Sequence, residues 1–297
     1  LVTGSTGFIG SYLVPELIQA GHGVVGLTRS DTGAEALTRA GAEVFFGDVN
    51  DLDRVRSAAA GADGVIHAAF NHDFTRLKEN CEQDRKVIEA LGQALAGSDR
   101  PLVVTSGTGV ARRSKIGALA LESDDHVTSS EAPRAAAEEA ADALIDKGGR
   151  IMVMRLPQVH DTRKFGRISL HIQLARQNGR VGYVGEGKNR LAAVHVSDAA
   201  HLFRLVLEKG KAGARYNAVG EEGVAMRDIA EVIGTKLRLP VESIPPDRVS
   251  DCFGSLAGLV AVDMAASGAA TQRELAWNPM GPDLLTDLRN MEEGVPS

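Results

Sequence analysis

The chain is poor in cysteine and aromatics, with two cysteines, three tyrosines and one tryptophan in 297 residues. Cys81 and Cys252 stand far apart and form neither a Cys-x-x-Cys redox pair nor a zinc-ligand set. That excludes a disulfide scaffold and points to reduced thiols in a cytoplasmic protein. Neither an HExxH helix nor a Cys/His cluster is present, so no metal is expected. The most apolar stretch, Leu256 to Ala270, is interrupted by Asp263 and Gly268, short of the roughly 18 residues a membrane span needs. A soluble chain with no membrane partner follows. Aromatics are 4%, net charge is -6 and no basic cluster is interleaved with aromatics, which argues against nucleic acid as a partner. The sequence opens without Met, partway along a strand, which leaves an upstream targeting peptide open.

What is present is concentrated at the start. Leu1 to Gly10 reads LVTGSTGFIG, the end of an apolar strand running into a glycine turn and then the amphipathic stretch Ser11 to Ala20. Such a strand, turn and helix hold a dinucleotide pyrophosphate. Gly4 permits the turn, Gly7 lets the backbone approach the phosphates, and Gly10 allows close packing of helix on strand. Gly4, Thr6, Gly7, Phe8, Ile9 and Gly10 are therefore the candidate pyrophosphate cradle, aided by the helix N-terminus. A glycine-rich turn without a ligand is the rival reading, weakened by the flanking strand and helix.

Strand and helix signals then alternate at short spacing. Strands are expected at 24–27, 44–46, 64–68, 102–105 and 151–155, and helices at 32–40, 51–60, 79–96 and 131–146, the pattern of a doubly wound parallel sheet. Further helices are expected at 168–177, 197–208 and 226–237, with a short strand near Val194. The predicted fold class is thus α/β, a Rossmann-type sheet with helices on both faces and a smaller C-terminal substrate lobe.

Val2-Thr3 with the GxxGxxG spacing resembles the TGxxGxxG signature of the short-chain dehydrogenase/reductase superfamily, in its extended or atypical, epimerase/dehydratase-like branch. The resemblance covers nearly the whole chain. Ala192-Ala-Val-His195-Val-Ser-Asp198-Ala-Ala is similar to that branch's strand-to-helix return, and Glu274-Leu-Ala-Trp277-Asn-Pro279 to its C-terminal Leu-Gly-Trp-x-Pro element. It implies a coenzyme domain of residues 1–157 plus about 192–219, and a discontinuous substrate lobe of about 158–191 and 220–297.

In an NAD-binding unit an acidic residue near the end of the second strand accepts the ribose hydroxyls and repels a 2'-phosphate. Here that place reads Leu27-Thr28-Arg29-Ser30. Arg29 would pair with the phosphate and Ser30 or Thr28 would add a hydroxyl, so NADP is preferred over NAD. Asp31, about twenty residues after Gly10, is a rival that would restore NAD, although Ser30-Asp31 also fits a helix N-cap. The resemblance implies that Asp48, followed by Val49, reads the adenine amino group. It also implies that Ala68 and Ala69 leave room for the adenosine ribose, and that Pro157 and Val159 line the nicotinamide end. A turn role competes for Asp48.

The family's usual pair is Tyr-x-x-x-Lys on one helix face, with Ser or Thr from the fifth strand. None of Tyr12, Tyr183 and Tyr216 has a lysine four residues on. Aligned by Glu138, Ser130 falls in the tyrosine place and Arg134 in the lysine place. Arg134 can bind ribose hydroxyls, yet a guanidinium does not relay a proton; a solvated helix residue is the alternative. On strand five, Ser106 or Thr108 stands in for the family's serine, against a role in closing the turn. His72 and His160, each following a strand that opens onto the crevice, are the candidates to move a proton at neutral pH, with surface or structural histidines as the alternative.

Two classes of function fit these residues. One is an NADP-dependent oxidoreductase of the atypical branch acting on a small carbonyl or hydroxyl compound, with a sugar-nucleotide epimerase/dehydratase as a variant. The other is a non-catalytic NADP-binding redox sensor or scaffold. The partner is a small-molecule substrate, and relatives of this type suggest a homodimer.

Overall fold

The computed structural model describes residues 1–254 and 257–292. Leu256, the first residue of the apolar stretch singled out in the sequence, lies outside them. In chain order the first part contains β1 (Val2–Thr3), α1 (Gly10–Gln19), β2 (Val25–Thr28), α2 (Asp31–Ala40), β3 (Glu43–Phe46), α3 (Leu52–Ala60), β4 (Val65–His67), α4 (Leu77–Leu95), β5 (Leu102–Gly107), α5 (Ala136–Ile145) and β6 (Ile151–Leu156). The remainder contains β7 (Gln158–His160), α6 (Arg167–Asn178), β8 (Val181–Val184), β9 (Arg190–His195), α7 (Val196–Lys209), β10 (Arg215–Asn217), β11 (Glu221–Ala225), α8 (Met226–Leu237), β12 (Val241–Ile244), α9 (Val249–Phe253), α10 (Ala257–Val260), α11 (Ala269–Leu275) and α12 (Leu284–Arg289).

Seven parallel strands form the central sheet in the order β10-β6-β5-β4-β1-β2-β3. The chain reverses its direction of travel across the sheet between β1 and β4. Crossover connections through helices cover both faces, which is why the strands are continuously apolar rather than alternating apolar and polar. Val103, Met152 and Met154 face α1 and α7, where Leu13, Leu17, Phe203 and Val206 are buried. Leu102, Val104, Ile151 and Val153 face α3, α4 and α5, where Val55, Ile88, Leu91 and Ala140 are buried. Successive residues of a strand thus feed opposite cores, as the two-residue period of the strand requires. Ser30 and Asp51 cap α2 and α3 by accepting from the Gly33 and Arg54 amides at 3.1 Å. Each cap is worth about 1 kcal/mol.

The residues from β7 onward add a three-stranded sheet, β11-β9-β7, and the pair β12-β8. They enclose a third core of Phe165, Ile168, Ile172, Val181, Ile229, Ile233, Leu284 and Leu288. The two sequence elements matched to the C-terminal half meet here. Trp277, 2% exposed, donates from its indole to the Asp198 carbonyl at 3.2 Å, and the Asp198 carboxylate accepts from the Met280 and Gly281 amides at 3.0 and 2.7 Å. Among the described residues no helix is long and apolar enough to cross a membrane.

One sequence expectation is corrected here. The helix expected from Glu131 begins only at Ala136, after a turn at Thr128–Ala132 and a short 3-10 turn at Pro133–Ala135. Pro133 forces Ala132 into extended backbone (φ -141°, ψ 111°), because the proline ring excludes helical geometry from the preceding residue. Ser130 and Arg134 therefore do not share a helix face.

Candidate functional site

The glycine turn sits at the C-terminal end of β1, beside the point where the strand order reverses, the place where open parallel sheets receive ligands. Gly4 has φ +66°, and a Cβ there would lie 2.7 Å from the Ala69 amide nitrogen and 2.8 Å from the Ala68 carbonyl carbon. The turn is thus pressed against the end of β4. The Gly7 amide donates to the Gly4 carbonyl at 2.9 Å, and the Ser11 amide to the Gly7 carbonyl at 2.9 Å, so the first helical turn starts inside the loop. A Cβ on Gly10 would lie 2.1 Å from the Gly4 oxygen. Gly10 therefore closes the helix onto the loop itself, not onto the strand as the sequence suggested. The amides of Phe8 and Ile9 have no acceptor among the described residues, and Thr6 and Gly7 are exposed. The result is a solvent-facing cluster of amides at the start of α1, suited to a diphosphate.

At the ends of β2 and β3, Thr28 is buried, while Arg29 projects with its side chain 77% exposed and pairs with Asp48 at 3.3 Å. The Asn50 amide and Arg29 hold the Asp48 carboxyl below the usual carboxylate range. Asp48 is further engaged by the Asn50 side-chain amide at 2.9 Å. Val49 packs against the core between the sheet and α3. Asp31 is the first residue of α2, so the acidic side chain stands in the helix and not at the end of the strand.

Beneath the crevice lies a polar ring that the sequence reading did not assemble. Thr3 Oγ1 and His67 Nδ1 are 2.7 Å apart, and His67 Nε2 and Asp84 Oδ1 are 2.9 Å apart. Arg134 donates from Nη1 to Asp84 Oδ2 at 2.7 Å and from Nη2 to the Thr105 carbonyl at 2.6 Å. Thr105 Oγ1 donates to the His67 carbonyl at 2.7 Å. The same Thr3 hydroxyl accepts from the Ala69 amide at 3.3 Å, tying the ring to the chain that Gly4 touches. Burial raises the Asp84 carboxyl, but Arg134 and His67 outweigh it and hold it below its ordinary pKa. Arg134 lies 4.4 Å from the Phe70 ring centroid, a cation stacked on an aromatic face. Asp84 carried a usable signal: it falls on the stripe of Cys81, Ile88, Leu91 and Leu95 that α4 buries, where an acid needs a partner.

The other candidates separate by accessibility. Ser106 is buried and donates to Glu138 Oε1 at 2.8 Å. Glu138 is in turn clamped by Arg155 through two contacts of 2.8 Å and by Arg215 at 2.9 Å. Burial pushes Glu138 up, and these arginines with Ser106 bring it below its usual value. Thr108 is buried at the start of a 3-10 turn. Ser130 is exposed, 2.7 Å from the Thr128 hydroxyl. His160 is 0% exposed, with Nδ1 2.7 Å from Asp287 Oδ2 and its ring 5.8 Å from that of His195. It joins β7 to α12 and is closed to solvent. Desolvation lowers the His160 pKa despite Asp287. His72 lies past the end of β4, its ring edge-on to Phe70 at 5.3 Å, and desolvation followed by repulsion from Arg134 lowers its pKa. Pro157 is half-buried between β6 and β7, and Val159 is buried in β7.

A seven-stranded parallel sheet with open amides at its switch point defines a Rossmann-type α/β fold. Residues 1–219 match the model of the NAD dependent epimerase/dehydratase family, and the chain belongs to that family. It is 42% identical over 288 residues to an uncharacterized protein of Schizosaccharomyces pombe, covering 97% of each chain. It is likewise 42% identical over 291 residues to an uncharacterized protein of Saccharomyces cerevisiae, again covering 97% of each. Among solved structures, the dTDP-glucose 4,6-dehydratase DesIV of Streptomyces venezuelae, determined with NAD bound, superposes with a TM-score of 0.76 at 20% identity, covering 98% of this chain and 94% of that one.

Proposed function

We propose that the protein is an NADP-dependent oxidoreductase acting on a small carbonyl or hydroxyl compound. The observation that carries the reading is the glycine turn, with Gly10 closed onto Gly4 and the Phe8 and Ile9 amides unsatisfied at the head of α1. A nicotinamide coenzyme, when bound, supplies hydride transfer. The cradle residues Gly4 to Gly10 hold its diphosphate, Asp48 and Val49 flank the adenine, and Ala68 and Ala69 leave space for the adjoining ribose. Arg29 and the Ser30 hydroxyl take a 2'-phosphate, since no carboxylate stands at the end of β2 itself. Arg134, fixed by Asp84 and Thr105, presents its remaining N–H groups beside Phe70 and orients the nicotinamide half, together with Pro157 and Val159. His72, beside Arg134 and with a lowered pKa, is neutral at pH 7 and moves the proton at the substrate oxygen; Ser106, Thr108, Ser130 and His160 are left to packing and turns. Residues 1–157 with 192–219 form the coenzyme domain in this reading, and 158–191 with 220–297 the substrate lobe.

The test is calorimetric titration with NADP and NAD. Wild type is expected to bind NADP more tightly, and Arg29→Ala to weaken NADP about tenfold, the lower end for a charge-assisted contact at an exposed site, with NAD little changed. Equal losses for both would refute the NADP assignment, and no binding of either at millimolar concentration would refute the coenzyme reading. A second reading, an NAD-dependent sugar-nucleotide epimerase or dehydratase, is favoured by the NAD in the superposed dehydratase. The enclosure of Ser106 and His160 favours a third, a redox sensor. Steady NADPH consumption across a panel of aldehydes and ketones supports the oxidoreductase over both.

A further inference from the structure

We propose that Arg167, at the first position of α6, receives an oxyanion of the substrate, a carboxylate or a phosphate; this rests on the coenzyme reading above. The segment between β7 and α6 runs beside the glycine turn. Tyr12, on α1, donates from its hydroxyl to Asp161 at 3.1 Å, and Lys164 Nζ lies 5.6 Å from the Phe8 ring centroid. The other Asp161 oxygen accepts from the Arg163 and Lys164 amides at 2.7 and 2.6 Å, which fixes the turn. Gln158 donates to the Phe165 carbonyl, and a Cβ on Gly166, at φ +48°, would fall 2.5 Å from Gln158 Nε2. The chain entering α6 is therefore pinned on one side by the coenzyme loop and on the other by β7.

Arg167 is half-buried there and makes neither an ion pair nor a hydrogen bond among the described residues. Four other enclosed arginines are paired with carboxylates, Arg155 with Glu138, Arg215 with Glu138 and Asp142, Arg134 with Asp84 and Arg204 with Glu16, while Arg100 and Arg113 donate to backbone carbonyls. Burial alone, with no carboxylate offsetting it, brings the Arg167 guanidinium down to about 10. It still carries its charge at neutral pH. One turn along the helix stands His171, 4% exposed, whose Nε2 has no hydrogen-bond partner. Burial and the nearby Arg167 hold that ring at about 4, so it is neutral in the folded protein. Residues four apart share a helix face, and this face offers a cation and an unsatisfied ring nitrogen, with no acid among the described residues acting on either. Removing a cation from water without a counterion is costly, and the guanidinium fork matches a carboxylate or phosphate in two parallel bonds. The missing counterion is assigned to the substrate.

The test uses NADP-saturated protein and two probes at constant ionic strength, acetate and inorganic phosphate, followed by calorimetry. Wild type is expected to bind one of them saturably, and which one responds separates a carboxylate from a phosphate substrate. Arg167→Met is expected to weaken that binding about tenfold or more, the usual scale for a charge-assisted pair, while the NADP affinity stays within about twofold. Should Arg167→Met fail to fold, Arg167→Lys keeps the charge without the fork and is expected to weaken the probe several-fold. Absence of saturable binding of both probes to wild type, or unchanged affinity in the variant, overturns the assignment. If NADP itself fails to bind wild type, the coenzyme reading falls; if NADP binds and the oxyanion response is missing, only the present inference falls.

Discussion

Replacing Asp84 by Asn tests whether the polar ring is a structural unit. Asp84 is 6% exposed and receives two charged or chargeable partners, Arg134 at 2.7 Å and His67 at 2.9 Å. Asparagine keeps the shape and removes the charge, leaving the Arg134 guanidinium, 22% exposed, without its carboxylate and an amide N–H turned toward another donor. Breaking a buried pair by removing one partner costs about 3–5 kcal/mol. Partial solvation of Arg134 places this case near about 3 kcal/mol. For a chain of this length that corresponds to a melting shift of about 6–9 °C. The pH dependence has a definite sign. Because the folded Asp84 pKa lies below its ordinary value, its stabilisation is complete above the unfolded pKa of about 3.9 and disappears as pH falls through the folded pKa. Urea melts of wild type and variant should therefore differ by a constant amount from pH 7 to about 5, with the gap closing below about pH 4. A variant within about 1 kcal/mol of wild type at pH 7, or a gap that widens in acid, would refute the reasoning.

Further outcomes follow from the same geometry. Gly10→Ala places a methyl carbon 2.1 Å from the Gly4 oxygen, so the loop and helix must separate. The expected result is a loss of about 1–3 kcal/mol in stability together with most of the dinucleotide affinity, whereas Gly23→Ala, with nothing within 4 Å, should change neither; equal behaviour of the two would show that the loop is not the binding element. Turnover, once a substrate is in hand, should depend in the oxidative direction on a group titrating below the ordinary histidine value of 6.5, as the lowered His72 pKa requires. His72→Asn should abolish that acid limb in a pH-rate profile, and a limb that survives unchanged would assign the proton to another group.

Much of the architecture was legible because it rests on local rules. Glycine spacing at Gly4, Gly7 and Gly10, the caps at Ser30 and Asp51, and the alternation of apolar strands with helices each follow from backbone sterics and periodicity within a short window. The same window failed at Glu131 to Arg134, where Pro133 delayed the helix to Ala136 and removed the shared face assumed for Ser130 and Arg134. Five strands, β7, β8, β10, β11 and β12, also escaped notice, being three to five residues long and dependent on partners far along the chain.

The sequence by itself determined six strands of the central sheet, the glycine turn and the family, since those depend on residue types at short spacing, whereas the edge strand β10 is set by its distant partner β6. Which polar side chains are available for chemistry was decided in three dimensions. Ser106 lost its hydroxyl to Glu138, His160 was walled in by Asp287 and α12, and Arg134 was claimed by Asp84, fifty positions away. The physical reason is that a buried charge must find its partner wherever the fold brings one, and that pairing is set by packing across elements rather than by order along the chain.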